Sequence, residues 1–500
     1  MSSSLHPRAQ WDHSYSRLSP VFYARVQPVP VREPRLLYLN DQLAGELSFD
    51  VEEFRREGAH WLTGGREWPG TRPLAMAYAG HQFGGFTKLG DGRAHLMGER
   101  VTESGRRWDV HLKGSGPTPF SRRGDGRAAL APMLREVLIS ESLHALGVPC
   151  SRSLSVVATG EWIDREVSKP GAVLARVASS HLRVGSFEFA AAFSASTPAE
   201  RVELTRELLQ YALRRHEPEL QQAKRPALEF LRAVVARQAQ LIAKWMSIGF
   251  IHGVMNTDNM TISGESMDFG PCAFLDRYDP DSVFSSIDHQ GRYAYRNQPR
   301  IAPWNLACLA EALLPLLAEE AGLSVQAVVP EIKTEIDQFA AAYDAAWLRE
   351  FRAKLGLRSE NLGEDSGQAA DRTLIEDFLK LLQKERADFT LSFRELAQAE
   401  TVERLSSIPE GKSWFHRWQD RFRASDATTI TRREQMLRAN PAVIARNFQV
   451  ERALKNAEQG DLTQFEALLK AVREPWTDHA EYSAAPPEGF ADTFQTFCGT

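Results

Sequence analysis

The spacing of apolar residues changes part-way along this chain, and that change constrains the fold more than any other feature. Between Tyr78 and about Val184, glycines are frequent and short strand-like runs recur, namely HLMGERV, WDVHLKG, SLSVVATG and AVLARVA. From about Glu200 the apolar residues recur at helical spacing, and beyond Ile301 nearly every segment has this pattern. The order predicts an α+β protein in which a smaller β-rich lobe precedes a larger α-rich lobe.

A length of 500 residues allows two to four domain-sized units. Residues 1–72 are rich in Pro, Arg and aromatic side chains, and we expect them to form an N-terminal extension that wraps a larger body. The predicted β-rich lobe covers 73–184 and the predicted α-rich lobe covers 185–400. A helical C-terminal extension is expected over 401–500, where KSWFHRWQDRF and similar stretches carry strong helical periodicity.

Composition excludes several classes of protein. The net charge of −5 argues against non-specific nucleic-acid binding, and no apolar run approaches the ~18 residues that span a bilayer. The N-terminus lacks the apolar core of a secretory signal. No C-x-x-C pair or Cys/His cluster suggests a disulfide framework or a zinc site. We therefore expect a monomer in the reducing cytoplasm, without nucleic-acid or membrane partners. The four cysteines are Cys150, Cys272, Cys308 and Cys498.

Two segments predict long amphipathic helices. In AALAPMLREVLISESLHALG, the residues Leu130, Leu134 and Leu138 recur at helical spacing, and Gly147 with Pro149 provides an end signal. The second segment, ALEFLRAVVARQAQLIAKWMSIG, ends at a glycine directly before the most informative stretch of the chain.

That stretch, HGVMNTDNMTISGESMDFGP, contains two fragments known from protein kinases. His252 and Asn259 are spaced as in the kinase motif H-R-D-L-x-x-x-N, and Asp268 begins a D-F-G sequence. The position of the kinase catalytic aspartate is Val254 instead. A kinase-like nucleotide site is therefore predicted, but without the usual base.

The two short strand-like pieces of this stretch, 260–262 and 266–267, are expected to pair as a hairpin. Such pairing would place Asn259 and Asp268 at the same end. An amide oxygen and a carboxylate that converge in this way suit a hard divalent cation, with phosphate oxygens and water completing its shell.

A nucleotide also requires cations for its phosphates. Lys113 alternates with apolar residues in WDVHLKG and would project from one face of a strand. A strand lysine paired with a helix glutamate is how kinases position phosphates, and Glu136 is the favoured partner here, with Glu141 as the competitor. Arg176 and Arg183 add two cations near the predicted junction of the lobes, although surface charge is the ordinary role of such residues.

Glycine-rich sequence surrounds Lys113 on both sides. A G-D-G-R tetrapeptide occurs twice, at 90–93 and at 124–127. Glycines let backbone amides approach phosphate oxygens and arginine binds them in bidentate fashion, whereas a single G-D-G turn usually marks only a hairpin. Neither a P-loop motif nor G-x-G-x-x-G before a helix is present.

Three long motifs of this chain resemble the selenoprotein O family, the YdiU-like proteins. They are YAGHQFGGFTKLGDGRAHLMGE, HLKGSGPTPFSRRGDGRAALAPMLREVLISESLHALGVP and the HGVMNTDNMTISGESMDFGP stretch, and residues 288–313 continue the likeness. The resemblance implies a kinase-like two-lobed fold with ATP turned around, so that AMP passes to Ser, Thr or Tyr hydroxyls of proteins and pyrophosphate leaves. It also implies magnesium or manganese as cofactor and, in some bacterial members, UMP transfer from UTP.

The resemblance assigns roles to residues of this chain. Asp258 matches the family's proton acceptor, although an aspartate beside a metal ligand can also serve only to support that ligand. Asn259 and Asp268 match the metal ligands. The matched nucleotide contacts are Gly90, Gly92, Arg93, Lys113, Asp125, Gly126, Arg176, Arg183 and Asp268.

Mitochondrial relatives end in a Cys-x-x-selenocysteine pair, whereas this chain ends FQTFCGT. Cys498 could form a redox latch with Cys272 or Cys308, or remain an inert thiol. Two alternative functions stay open at this point: a conventional kinase-type phosphotransferase, and a pseudokinase scaffold that binds a nucleotide without catalysis.

Overall fold

A computed structural model describes residues 10–357, 367–399, 401–423 and 429–496. The strands precede most of the helices, as the sequence predicts. The strands are β1 (Gln10–Asp12), β2 (Tyr23–Arg25), β3 (Arg35–Leu39), β4 (Leu74–Met76), β5 (Ala79–Gln82), β6 (Gly85–Lys88), β7 (Ala94–Val101), β8 (Arg107–Lys113), β9 (Ala128–Ala129), β10 (Arg152–Ile163), β11 (Lys169–Ala178), β12 (Phe250–Ile251) and β13 (Ala273–Phe274).

The α-helices follow the same chain order. They are α1 (Asp41–Glu46), α2 (Val51–Leu62), α3 (Leu130–Ala145), α4 (Val184–Phe193), α5 (Pro198–His216), α6 (Pro226–Ser247), α7 (Gln298–Ala321), α8 (Val325–Lys354), α9 (Gln368–Lys384), α10 (Phe389–Ala399), α11 (Glu403–Ser406), α12 (Pro409–Arg423), α13 (Thr429–Ala439), α14 (Asn447–Glu458), α15 (Thr463–Arg473) and α16 (Phe490–Thr493). The two predicted long helices, α3 and α6, are both present.

Nine strands form one antiparallel sheet in the order β2-β4-β7-β8-β11-β10-β3, with β1 beside β7 and β9 beside β11. The first 72 residues contribute β1, β2 and β3 to this sheet, so the N-terminal segment is part of the sheet as well as a covering of it. The fold is α+β, with an antiparallel sheet followed by a helical region, and this arrangement is consistent with two lobes.

Helices cover both faces of the sheet. Val110 and Leu112 of β8 pack with α1 and α2 in one apolar cluster, while Leu174 of β11 belongs to the larger cluster that includes α3 and the C-terminal helices. Because successive side chains of a strand point to opposite faces, Lys113 lies on the α3 face of the sheet. The alternation predicted for WDVHLKG is therefore present.

The C-terminal helices α14 and α15 pack on α3. Arg135 of α3 pairs with Glu451 at 3.0 Å, and Arg473 of α15 donates to Glu141 Oε2 at 2.8 Å. Helix α3 thus lies between the sheet and the helices α14 and α15.

Within the described residues, the helical segment Tyr295–Ala321 is long and apolar enough, by length and composition, to cross a membrane. The expectation that no apolar run approaches this length is therefore wrong. In the folded chain 61% of its most apolar window is buried, and α7 packs against α4, α6 and α8, as a core helix does.

Candidate active site

The side chains predicted to position a nucleotide meet on the α3 face of the sheet. Lys113, at the end of β8, donates to Glu136 on α3 and to Asp268 Oδ1 at 2.8 Å. The lysine side chain is only 11% exposed. Glu141, the competing partner, instead accepts from Arg152 Nε at 2.7 Å. One ammonium therefore links a strand, a helix and the D-F-G segment.

Two arginines approach the same carboxylate. Arg176 of β11 donates through Nη1 to Asp268 Oδ1, and Arg183 Nη1 lies 3.6 Å from Asp268 Oδ2. Burial alone would raise the pKa of Asp268, but Arg176, Lys113 and Arg183 hold it well below the ordinary value. Counted at formal charges, three cations face the carboxylates of Asp268 and Glu136, and the cluster carries one net positive charge that suits a phosphate group.

The backbone at Asp268 is unusual. Its φ of 64° lies in the left-handed region, which costs a residue other than glycine about 1–3 kcal/mol. His252 Nε2 donates to the carbonyl of Met267 at 2.8 Å, directly before the strained residue, and Phe269 is fully buried after it. His252 thus helps to hold the strained turn that presents Asp268.

Asp258 and Asn259 lie in a single 3-10 turn, Thr257–Asn259. Arg183 Nη1 donates to the backbone carbonyl of Asp258 at 2.7 Å, and because it also faces Asp268, it joins the two loops. Asn259 Nδ2 donates to the carbonyl of Val254 at 3.1 Å. Val254, which occupies the position of the kinase base, therefore holds the Asn259 side chain through its own backbone carbonyl.

The Asp258 carboxylate is buried and incompletely satisfied. Oδ2 accepts a long hydrogen bond of 3.4 Å from Gln82 Nε2, while Oδ1 has no hydrogen-bond partner in the described part of the chain. Burial raises the pKa of Asp258 to about 6, with Arg183 opposing the shift and Asp268 adding to it. A carboxylate of this kind has the properties of a general base.

The predicted hairpin between 260–262 and 266–267 is wrong. Thr261 forms a β-bridge with Arg183, and Ser266 forms one with Cys150. The hydroxyl of Thr261 accepts from Glu265 N at 2.9 Å and donates to the Glu265 carbonyl at 2.7 Å, so a side chain closes the turn. The two backbone pieces pair with other segments, which sequence spacing alone does not reveal.

The first G-D-G-R loop is built into the core. Asp91 is buried, and its Oδ2 accepts from Met76 N and from His111 Nε2, both at 3.0 Å. Gly90 has φ 145°, and a Cβ atom there would lie 2.4 Å from the ring of Phe120. The hydroxyl of Ser121, next to Phe120, donates to the carbonyl of Gly92 in the same loop.

Arg93 closes this first loop. Its carbonyl accepts from Gly114 N at 2.7 Å, and the next residue pairs with Lys113 across β7 and β8. Over residues 10–357, 367–399, 401–423 and 429–496, the half-buried guanidinium of Arg93 makes no ion pair or hydrogen bond, so it is available to an anion.

The second loop is exposed at Gly124 and Asp125, whereas Gly126 is buried. Asp125 pairs with Arg165 Nη1 at 2.8 Å on the surface, and Arg127 Nη1 donates to the carbonyl of Val29 at 3.3 Å. Gly126 has φ 69°, and a Cβ atom there would lie 2.1 Å from the backbone of Gly116. Only glycine fits at this close approach of two loops.

The whole chain has known relatives. The family model described as protein adenylyltransferase SelO matches residues 7–473. The chain belongs to the SelO family. A protein nucleotidyltransferase YdiU from Cereibacter sphaeroides is 51% identical over 503 residues, covering 98% of this chain and 99% of the relative. Relatives with the same name from Brevibacillus brevis and Geobacillus kaustophilus are 48% and 49% identical, with similar coverage. This SelO-family chain is therefore an enzyme of the nucleotidyltransferase class.

Nucleotidyl transfer in the SelO family raises the question of a divalent metal ion. The oxygen atoms of Asn259 and Asp268 are chemically suited to bind one. Since the Asn259 nitrogen bonds to Val254, its amide oxygen is left available as a donor, and the ionised Asp268 offers carboxylate oxygens. Oxygen donors of this type suit Mg²⁺ or Mn²⁺.

The β5–β6 hairpin, which no predicted site residue pointed to, lies over the turn that carries Asp258 in this SelO-family chain. A Cβ atom at Gly80 would lie 2.5 Å from Asp258 Oδ1. His81 N donates to Thr257 Oγ1 at 2.7 Å and Phe83 N donates to Asn256 Oδ1 at 3.0 Å. Gly80 in YAGHQFGG was the sequence signal for such a close approach.

The cysteine latch concerns a residue outside the described part of the chain. Cys498 lies there, while Cys272 and Cys308 are both buried free thiols. The pairing of Cys498 stays a prediction.

Proposed function

We propose that this chain transfers AMP from ATP to Ser, Thr or Tyr hydroxyls of other proteins, with release of pyrophosphate, in a kinase-like two-lobed cleft where ATP is bound in the reversed direction. UMP transfer from UTP is the second activity we propose for the same site. The protein would act as a monomer in the cytoplasm. Its partners would be the nucleotide and its protein substrates, with no nucleic acid or membrane involved.

The observation that carries this proposal is the convergence of Lys113, Arg176 and Arg183 on Asp268. In kinases a strand lysine paired with a helix glutamate positions the phosphates together with the D-F-G aspartate and its metal. Two further buried arginines supply charge for a triphosphate bound in a different direction, and preorganised cations of this kind stabilise charge that develops in the transition state.

The absence of an acid at Val254 is compatible with this chemistry. We assign Asp258 as the base that takes the proton of the acceptor hydroxyl. The acceptor oxygen forms a bond to the α-phosphorus while the bond between that phosphorus and the bridging oxygen breaks, so that pyrophosphate leaves. Arg183, which holds the Asp258 backbone, would also keep the base aligned with the cationic cluster.

We assign Asn259 and Asp268 as the residues that would hold Mg²⁺ or Mn²⁺, which when bound neutralises phosphate charge. The residues assigned to the nucleotide are those of the two G-D-G-R loops and the cationic cluster, namely Gly90, Gly92, Arg93, Lys113, Asp125, Gly126, Arg176, Arg183 and Asp268. Glu136 would keep the lysine in place without contacting the nucleotide.

The test is incubation of a protein acceptor with α-labelled or γ-labelled ATP, with Mg²⁺ or Mn²⁺, and in a parallel reaction with α-labelled UTP. We expect label only from the α position, and a loss of at least about 100-fold in Asp268→Asn, as for removal of one strong transition-state contact. Asp344→Asn, at an exposed aspartate paired loosely with Arg372, is the matched control and should retain full activity.

Label that arrives only from the γ position would establish the kinase alternative instead. Nucleotide binding without any transfer, under either metal, would favour the scaffold. Mass spectrometry of the labelled peptides identifies the hydroxyl that is modified.

A further inference from the structure

A second cluster of metal-binding side chains lies outside the nucleotide site. His81 of β5, Glu188 of α4 and Cys308 of α7 each direct one ligand atom to a common point, and these three atoms lie within 4.8 Å of one another. They line a cavity of about 420 Å³, together with Phe86, Arg201 and Glu311. Three separate elements therefore bring a nitrogen, an oxygen and a sulfur donor together.

The cluster is buried and its donors are incompletely satisfied. Glu188 is only 5% exposed, and its Oε1 accepts a hydrogen bond from His81 Nδ1. Its Oε2 makes no hydrogen bond among the residues that the structure describes, and burial raises the pKa of this carboxyl against the smaller, opposite effect of the neighbouring Thr257 side chain. A buried carboxylate oxygen without a partner is unfavourable, and a cation in the cluster would remove that cost.

Arg201, the arginine among the residues that line the cavity, does not neutralise the Glu188 carboxylate. Arg201 Nη1 donates to the carbonyls of Ala195 and Ser196, at 3.0 Å and 3.3 Å, and is therefore committed to the start of its own helix. Glu311 lies one helical turn from Cys308 and adds a further acid at the edge of the cavity. The cluster thus has acidic and soft donors in excess of basic groups.

The donor set selects one class of metal. Thiolate, imidazole and carboxylate together suit Zn²⁺ and similar transition metals, whereas Mg²⁺ and Mn²⁺ prefer oxygen ligands alone. Tetrahedral zinc with bond lengths of about 2.0–2.3 Å separates its ligand atoms by roughly 3.3–3.8 Å. The observed separations are compatible with this geometry after side-chain adjustments of about 1 Å.

We propose that His81, Glu188 and Cys308 form a Zn²⁺-type transition-metal site, distinct from the oxygen ligands at Asn259 and Asp268, with its fourth position open to the cavity. A metal there joins the β5–β6 hairpin to α4 and α7. Because the backbone of the same hairpin donates to Thr257 and Asn256, the metal also holds the hairpin against the turn that carries Asp258.

The test uses tag-free, metal-free full-length protein titrated with Co²⁺ in the presence of excess Mg²⁺. Cobalt bound to a thiolate gives a sulfur-to-metal charge-transfer band in the near ultraviolet, which reports Cys308 directly. We expect one equivalent of Co²⁺ to produce the band, and one equivalent of Zn²⁺ to abolish it by displacement.

Two variants and two controls make the result specific. Cys308→Ser should lose the band, and Glu188→Gln, which keeps the side-chain shape, should weaken Co²⁺ binding at least tenfold. Cys150→Ser is the matched control, since Cys150 is 7% exposed and Cys308 is 8% exposed, and it should keep the band. Asp268→Asn should also keep it, because that residue belongs to the nucleotide site.

A wild-type protein without the band, or a band retained in Cys308→Ser, would overturn the proposal and leave the cluster as a buried hydrogen-bonded pair with a neighbouring thiol. A band lost in Asp268→Asn would equally contradict two distinct sites. None of these results depends on which nucleotide the enzyme transfers.

Discussion

The two G-D-G-R loops have the same four residues but different environments. In the first loop, Asp91 is buried and accepts two hydrogen bonds from the core, while the Arg93 side chain has no partner in the described residues. In the second loop, Asp125 is exposed and paired with Arg165, while Arg127 bonds to backbone carbonyls. The aspartate is structural in one loop and the arginine is structural in the other.

This difference shows that a short motif does not carry its own function. Segment 117–121 lies between the two loops, and Thr118 Oγ1 donates to the carbonyl of Asp91 at 2.6 Å while Phe120 covers Gly90. The first loop is therefore covered by the chain that leads to the second. The aspartate of the first loop is part of the core, whereas the aspartate of the second loop remains at the surface.

The largest effect should come from the buried aspartate. We expect Asp91→Ala to lower the free energy of unfolding by about 3 kcal/mol, because it leaves buried donors at Met76 and His111 without an acceptor. Denaturant unfolding followed by circular dichroism measures this. Asp125→Ala is the control and should change the free energy of unfolding by less than about 1 kcal/mol, as for an exposed ion pair. Equal losses in both variants would contradict the contrast between the loops.

For nucleotide binding, the arginines of the two loops should differ: Arg93 of the first loop should matter more than Arg127 of the second. We expect Arg93→Ala to weaken ATP binding by about 30-fold, since a charge-assisted hydrogen bond to phosphate contributes about 2 kcal/mol. Arg127→Ala removes contacts to Val29 and Pro30 and should leave the affinity within about threefold, as expected for a loss below about 0.7 kcal/mol. Isothermal titration with ATP and Mg²⁺ distinguishes them, and a stronger effect of Arg127→Ala would reverse the assignment.

The smallest effect concerns the exposed aspartate as a nucleotide contact. We expect Asp125→Ala to weaken ATP binding by about fivefold, consistent with the loss of one solvent-exposed hydrogen bond of about 1 kcal/mol. Arg165→Ala breaks the same surface pair without removing the carboxylate, and it should bind ATP with unchanged affinity. If both variants bind as the unmodified protein does, Asp125 lies outside the nucleotide site.

Much of the architecture could be predicted from local pattern. Helix α3 was predictable because its apolar spacing and its Gly147–Pro149 end signal are both local properties. The strand of Lys113 was predictable from two-residue alternation, and that alternation places the lysine on the same face as the helix that carries Glu136. The predicted nucleotide and metal roles of these side chains stay predictions until ATP is tested.

The sequence by itself determined the order of strands and helices and the chemical types that converge at Asp268, because side-chain periodicity and motif spacing are written in consecutive residues. Only the tertiary structure decided which segments lie against each other. The partners of Thr261 and Ser266, the fit of Gly80 against Asp258 and the opposite environments of Asp91 and Asp125 all depend on contacts between residues far apart in the chain. Which of these contacts form depends on the relative free energies of all the alternative pairings in the folded chain. A short segment of sequence does not include the distant partners that decide between those pairings.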